Sequence, residues 1–258
     1  MGVRRNFSLN LIFLLALNLL IKPFYLFGIE VGVQNAVGAE AYGLYYAMFN
    51  FTFLFNVILD LGINNFQKIR MAQNPDVGTE NMKTLLPLKF GLSLVYMVIT
   101  VIAALLIGFE NDYWFFIVWL MINHVLSMFL LLFRANISGL HLFKRDSILS
   151  VLDRTLMIFA IGYLLWFSNS SFQIQDFVLA QTAAYVVAIL VAIALTPAKN
   201  RVLSLDMEWG PIKAMIRQTW PFALLILIMT AYSKIDGVML ERLAENGLVE
   251  AGIYAQAY

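Results

Sequence analysis

Five cations lie within or beside long apolar runs of this chain, Lys22, Lys89, Arg134, Arg154 and Lys234, and four of them, Lys22, Arg134, Arg154 and Lys234, are candidate site residues. A charge inside hydrocarbon is costly, and such residues are functional by default. Their chemistry is anion binding. Lys carries a compact charge with three donors, while Arg presents a planar fork that grips phosphate oxygens in pairs. Lys22 falls about 24 Å along its run from Asn6, at 1.5 Å per residue. Pro23 follows it and should kink a helix there. Lys234 falls at a similar height in a later run. The plainer reading of both lysines is snorkelling to the interface. For Arg134 it is an ion pair across helices with Asp153 or Asp60. Asp153 adjoins Arg154, but neighbours i and i+1 do not share a helix face.

Three acids are candidate coupling sites for Na⁺ or H⁺: Glu30, Asp60 and Asp236. The plainer reading of Glu30 is an interfacial carboxylate. Asp60 sits in Leu59-Asp60-Leu61-Gly62-Ile63-Asn64-Asn65, which reads as a helix end where Gly62 relaxes the backbone. Asn18, Asn56, Asn123, Gln181 and Tyr185 could hydrogen-bond a polar ligand or simply a neighbouring helix. The only histidines are His124 and His141. Neither has a chemical partner at usable spacing, and His124 reads as a core residue. HExxH, the P-loop and GxGxxG are absent. Cysteine is absent too, which removes disulfides, thiolate metal ligands and a cysteine nucleophile. No catalytic residue, metal site or cofactor beyond the coupling ion is expected.

Composition says what must hold these residues. Of the 258 residues, 61% are hydrophobic and 13% charged, against about 25% charged in soluble domains. An integral membrane protein follows. Lys+Arg 17 against Asp+Glu 16 leaves no basic surplus for nucleic acid. The runs are continuous rather than alternating, so they are helices and not barrel strands. Spans of about 20 residues fall at 7–34, 41–66, 84–109, 113–139, 146–168, 174–196 and 218–241, and an eighth opens at Ala251. The basic N-terminus resembles a signal peptide, but no small-x-small site closes its apolar run, so it reads as a retained span.

Loop charges test this map. Arg4, Arg5, Lys68, Arg70, Lys83, Lys144, Arg145, Lys199, Arg201, Lys213 and Arg217 fall on one side. Arg242 alone falls on the other, among Glu40, Glu110, Asp112, Asp176, Glu241, Glu245 and Glu250. This is the positive-inside pattern, with the N-terminus cytoplasmic. The stretch 209–217 reads as either a surface-lying amphipathic segment or a polar loop.

The turn Gly38-Ala39-Glu40-Ala41-Tyr42-Gly43-Leu44-Tyr45 recurs as Gly247-Leu248-Val249-Glu250-Ala251-Gly252-Ile253-Tyr254. Both copies join an odd-numbered span to the next. A duplicated six-helix unit gives this, and an even count keeps both copies in the same orientation, as in parallel-repeat transporters.

Three stretches carry a resemblance: Asn10-Leu11-Ile12 through Asn18, the turn Val37–Tyr45, and Leu59–Asn65. The pattern returns at Asp236-Gly237-Val238-Met239-Leu240 and Glu250–Tyr254. On these the chain resembles the polysaccharide biosynthesis proteins, lipid-linked oligosaccharide flippases related to O-antigen and capsule flippases. They lie within the MOP superfamily that includes MATE drug exporters and the lipid II flippase. The resemblance implies an all-helical polytopic transporter in a bacterial cytoplasmic membrane, not an enzyme. It implies a six-helix first lobe over 1–196, an inter-lobe linker over 197–217 and the start of a second lobe over 218–258, hence the N-terminal half of a longer protein. The implied substrate is an oligosaccharide on an isoprenoid pyrophosphate, with membrane lipids and polysaccharide assembly proteins as partners. Lys22, Arg134, Arg154 and Lys234 would then neutralise the diphosphate. Pro23, Gly38, Gly43, Gly62, Gly247 and Gly252 would shape the backbone. Two alternatives stay open: a drug or cation exporter of the same superfamily, which favours acidic cavity residues, and a membrane enzyme of glycolipid assembly, which calls for a polar catalytic loop.

Overall fold

A computed structural model describes residues 14–64, 78–168, 171–197 and 209–257. Every regular element among them is helical, and six helices are long and apolar enough to cross a membrane. We number them α1 Leu14–Leu54, α2 Val57–Asp60, α3 Gly78–Ile107, α4 Asn111–Gly139, α5 Phe143–Trp166, α6 Ile174–Leu195, α7 Trp209–Leu243 and α8 Gly247–Ala257. Of these, α2 and α8 are too short to span. Residues 1–13, including the basic start and Asn10-Leu11-Ile12, and most of the polar connections 67–83 and 197–208 lie outside the described residues.

The first helical stretch is 41 residues long. Straight, it would reach about 60 Å, twice the hydrocarbon thickness. It breaks at Gly38, whose φ of 82° and ψ of 168° only glycine adopts freely. The chain folds back there into two arms. Tyr25 and Tyr45 would be about 30 Å apart on one straight helix. Instead they are electrostatic neighbours in one core cluster with Ile29, Val33, Met48 and Phe51. Two spans and a turn are thus compressed into one helical stretch, as the sequence map expects.

Pro23 leaves a clear mark. Residues Tyr25–Glu30 form a π-helical turn, and the Val31 N–H bonds the Leu26 carbonyl. Pro has no N–H and its ring crowds the preceding turn. The wider turn absorbs one extra residue, which re-aims Tyr25 and Glu30; such bulges cluster at functional sites.

Three boundaries differ from the sequence reading. The second span, expected over 41–66, breaks after Leu54, and its next piece, α2, ends at Leu61, which adopts left-handed φ 46°, followed by Gly62 at φ 78°, before helical backbone resumes at Ile63. The Gly62 helix end is as read from the motif. The segment 209–217 is neither a separate surface helix nor a loop: it is continuous with α7. Finally, α4 and α5 are joined more tightly than drawn, with Gly139 ending one and Phe143 starting the next.

Helices α4, α5 and α6 pack on one another and on the second arm of α1, while the π turn rests on α5. One apolar cluster fills the end nearer Gly38, with Phe116, Ile117, Leu120, Ile161 and Phe177. A second fills the other end, with Ile63, Leu132, Phe133, Leu149 and Ala188. Large apolar side chains also point outward, including Leu19, Leu94, Leu106, Phe159, Leu190 and Ile228. Such a surface suits hydrocarbon, where burial of apolar groups is no longer the drive for packing. The short α8 and the far end of α7 dock on the second arm of α1.

Candidate functional site

The π turn positions the candidate centre. It points Tyr25 and Glu30 from α1 toward α5, where Arg154 stands at the middle of Phe143–Trp166. The Arg154 guanidinium carbon lies 4.6 Å from the centroid of the Tyr25 ring. Tyr185 of α6 meets the same guanidinium, and Glu30 lies within electrostatic reach. Tyr42 and Tyr45 close the side toward the second arm of α1, and Tyr45 is held edge-on by Phe177 at 5.5 Å. The buried Tyr25 hydroxyl stands against the Glu30 carboxylate without closing a hydrogen bond among the described residues.

One sequence reading changes here. Asp153, expected to point elsewhere, brings Oδ2 to 3.9 Å from the Arg154 Nε. The Arg154 side chain keeps 32% of its surface exposed, enough to receive a ligand. The arrangement is a cation laid on an aromatic face, flanked by phenols and balanced by one carboxylate. An exposed cation–π contact contributes about 0.5–1 kcal/mol, and more when desolvated. It holds the guanidinium plane in place with donors to spare.

The other candidates are dispersed. Lys22 is exposed beside an open apolar groove that also contains Asn18 and Phe27. Arg134 donates from Nε to Asp146 Oδ1 at 2.9 Å. This replaces the expected pairing with Asp60 or Asp153; Asp146, in the first turn of α5, lies just past the tight α4–α5 connection. Lys234, on α7, lies 5.8 Å from the Phe53 ring centroid. Asp236 is exposed and accepts from the Tyr254 hydroxyl at 3.3 Å.

Asp60 has a partner that the sequence reading passed over. Lys89, buried in α3, donates to Asp60 Oδ1 at 2.6 Å and to the Leu59 carbonyl at 2.8 Å. It neutralises the acid and caps the exposed carbonyls where α2 ends, a favoured place for a cation. The signal was a lone Lys inside an apolar span; its partner lies on a different helix, which spacing cannot reveal.

The polar core residues mostly bond their neighbours. Asn123 donates to Gln181 Oε1 at 3.1 Å and accepts from Thr182 at 2.7 Å. His124 contacts Thr52 Oγ1 at 3.1 Å between the rings of Phe49 and Phe53, a packed core position. Asn18 donates to Ser150 at 3.2 Å. No group of three or more metal-ligating side chains occurs among the described residues.

The profile of one protein family, described as polysaccharide biosynthesis protein, matches residues 9–258. The chain belongs to that family. The match spans the π turn, the Arg154 centre and both copies of the glycine turn, so all are features of a polysaccharide biosynthesis protein. No curated protein and no solved structure matches the chain. Residue roles within this family member therefore rest on its own geometry.

Proposed function

We propose that the chain is the first lobe and the opening of the second lobe of a flippase. It moves an oligosaccharide on an isoprenoid pyrophosphate across the cytoplasmic membrane by alternating access. Membership of the polysaccharide biosynthesis family supports the pathway, and the Arg154 centre carries the reading. At about 17 Å from either end of its span, a guanidinium resting on Tyr25 is a mid-membrane partner for a diphosphate. The tail stays in lipid while the charged head crosses. No covalent step is needed, so the protein acts as a transporter rather than an enzyme.

Glu30 is the coupling site in this reading. With the carboxylate ionised, Arg154 is partly satisfied from within; with Glu30 protonated or holding Na⁺, the guanidinium turns to the substrate. The cationic centre favours an anionic cargo over the cationic drugs of an exporter. The positive-inside pattern of the loops supports a Gly38 turn outside and the ends of α2 and α4 in the cytoplasm.

The test is Arg154→Ala and Arg154→Lys in the full-length protein, scored by surface polysaccharide and by the amount of protein in the membrane. Loss of polysaccharide in both, with protein retained, is expected. Normal polysaccharide in Arg154→Ala removes the cationic centre from the mechanism.

A further inference from the structure

At the Gly38 end of the bundle, a cavity of about 680 Å³ opens between the fold-back turn of α1 and the first turns of α4 and α6. This volume lies within the roughly 300–1,000 Å³ of small-molecule pockets. Its polar side chains are amides and one carboxylate. Asn111, Gln173 and Gln175 bring side-chain amides, and Asp112 brings a carboxylate. Phe115 and Phe172 supply aromatic surface, and no Lys, Arg or His lines it among the described residues. The site is unlike the Arg154 centre and poorly suited to phosphate.

Amides donate and accept, and a carboxylate accepts. Sugar hydroxyls ask for that mixture. The negative face of an aromatic ring suits the weakly positive C–H face of a pyranose. The lining is also held in place. Phe115 is buttressed edge-on by buried Phe116 at 5.4 Å. Gln173 forms a capping box with Asp176, and its backbone N–H reaches that carboxylate at 2.9 Å. The Gln173 amide NH₂ takes no part in that box.

We propose that this cavity binds neutral sugar units of an oligosaccharide, at a site separate from Arg154. Val37, Ala41 and Leu44 form its α1 wall. Ala39 and Gly43, on the opposite side of the same turn, meet α8. A glycan held here therefore bears on the turn that joins the two repeated segments. The proposal does not rest on the transport reading, because binding is measured without transport.

The test uses the full chain, purified in a detergent without a sugar headgroup and applied to an array of neutral oligosaccharides. The same sugars, free and as glycolipid headgroups in nanodiscs, separate a soluble glycan from a lipid-borne one. Retention on a subset is expected. Gln175→Ala and Phe172→Ala should each weaken it about tenfold or more, with Phe172→Tyr largely retaining it. Arg154→Ala should leave it unchanged. If Phe172→Ala misfolds, Gln175→Ala decides, because that side chain is only half-buried at the pocket wall. Binding to no sugar, unchanged binding by a well-folded Gln175→Ala, or loss of binding in a well-folded Arg154→Ala overturns the proposal.

Discussion

Gly43 and Gly252 stand in the same place in two copies of one turn, and each is pressed against the other copy's backbone. A Cβ on Gly43 would overlap the Leu248 carbonyl, and a Cβ on Gly252 would overlap the Ala39 carbonyl. Leu248 precedes Gly252 as Ala39 precedes Gly43, so the contact is reciprocal, like an isologous interface folded into one chain. The Gln34 amide seals it by donating to the Gly252 carbonyl at 2.8 Å. The recurrence seen in the sequence is therefore a contact in space, of the small-residue type that lets membrane helices approach closely.

Gly43→Ala is expected to push α8 off α1. Gly91→Ala is the control, since a Cβ there meets nothing within 4 Å and alanine in a helix interior is favoured by roughly 0.5–1 kcal/mol. Thermal melting in detergent should show a drop for the first and no loss for the second. Equal melting of the two variants would mean that the crossing is looser than described.

Lys89→Met should destabilise the protein by roughly 3–5 kcal/mol, the usual effect of leaving one member of a buried pair behind. Lys89 is 2% exposed and Asp60 18%, so the stranded carboxylate is only partly rescued by solvent. Adding Asp60→Asn should recover part of the loss. A double-mutant cycle measures the coupling, and additive effects would show that the pair does not act as a unit.

Arg134→Ala and Asp146→Ala should behave alike, because each removes the same 2.9 Å contact at the α4–α5 connection. Both should lower stability by up to about 1 kcal/mol, as the pair is part-exposed. Transport should fall less than in Arg154→Ala. A transport loss in Arg134→Ala that Asp146→Ala does not share would return Arg134 to the substrate path.

At the Gly38 end, the Tyr113 hydroxyl donates to Glu241 at 3.1 Å, and Arg242 lies 4.4 Å over the Phe109 ring. These contacts tie α7 to the α3–α4 connection. Tyr113→Phe combined with Arg242→Ala should raise amide hydrogen exchange near the end of α7, leaving exchange within α5 and α6 unchanged. Unchanged exchange across Glu241–Gly247 would remove these two contacts as the tie.

The helices were largely legible in the sequence. Spans over 84–109, 113–139, 146–168 and 174–196 match α3 to α6 to within a few residues at most ends, because twenty apolar residues bounded by polar ones leave few other solutions. The Gly62 helix end and the Gly38 turn were legible for the same local reason: backbone at positive φ favours glycine. The partners of the charged residues were not. Hydrophobic periodicity normally tells which helix face is inside, but here the lipid face is as apolar as the core. Nothing local could therefore distinguish Lys89, turned inward onto Asp60, from Lys22, turned out.

The sequence by itself determined the class of this protein, its helices, its two related turns and the residues whose charge demands a reason. Those follow from composition, run length and the stereochemistry of Pro and Gly, all properties of short stretches. Only the tertiary structure decided which charges meet. It put Glu30 with Arg154, Asp60 with Lys89 and Gly43 against the Gly252 copy. Each pairing joins segments far apart in the chain, and is set by how fully packed helices rotate about their axes and cross.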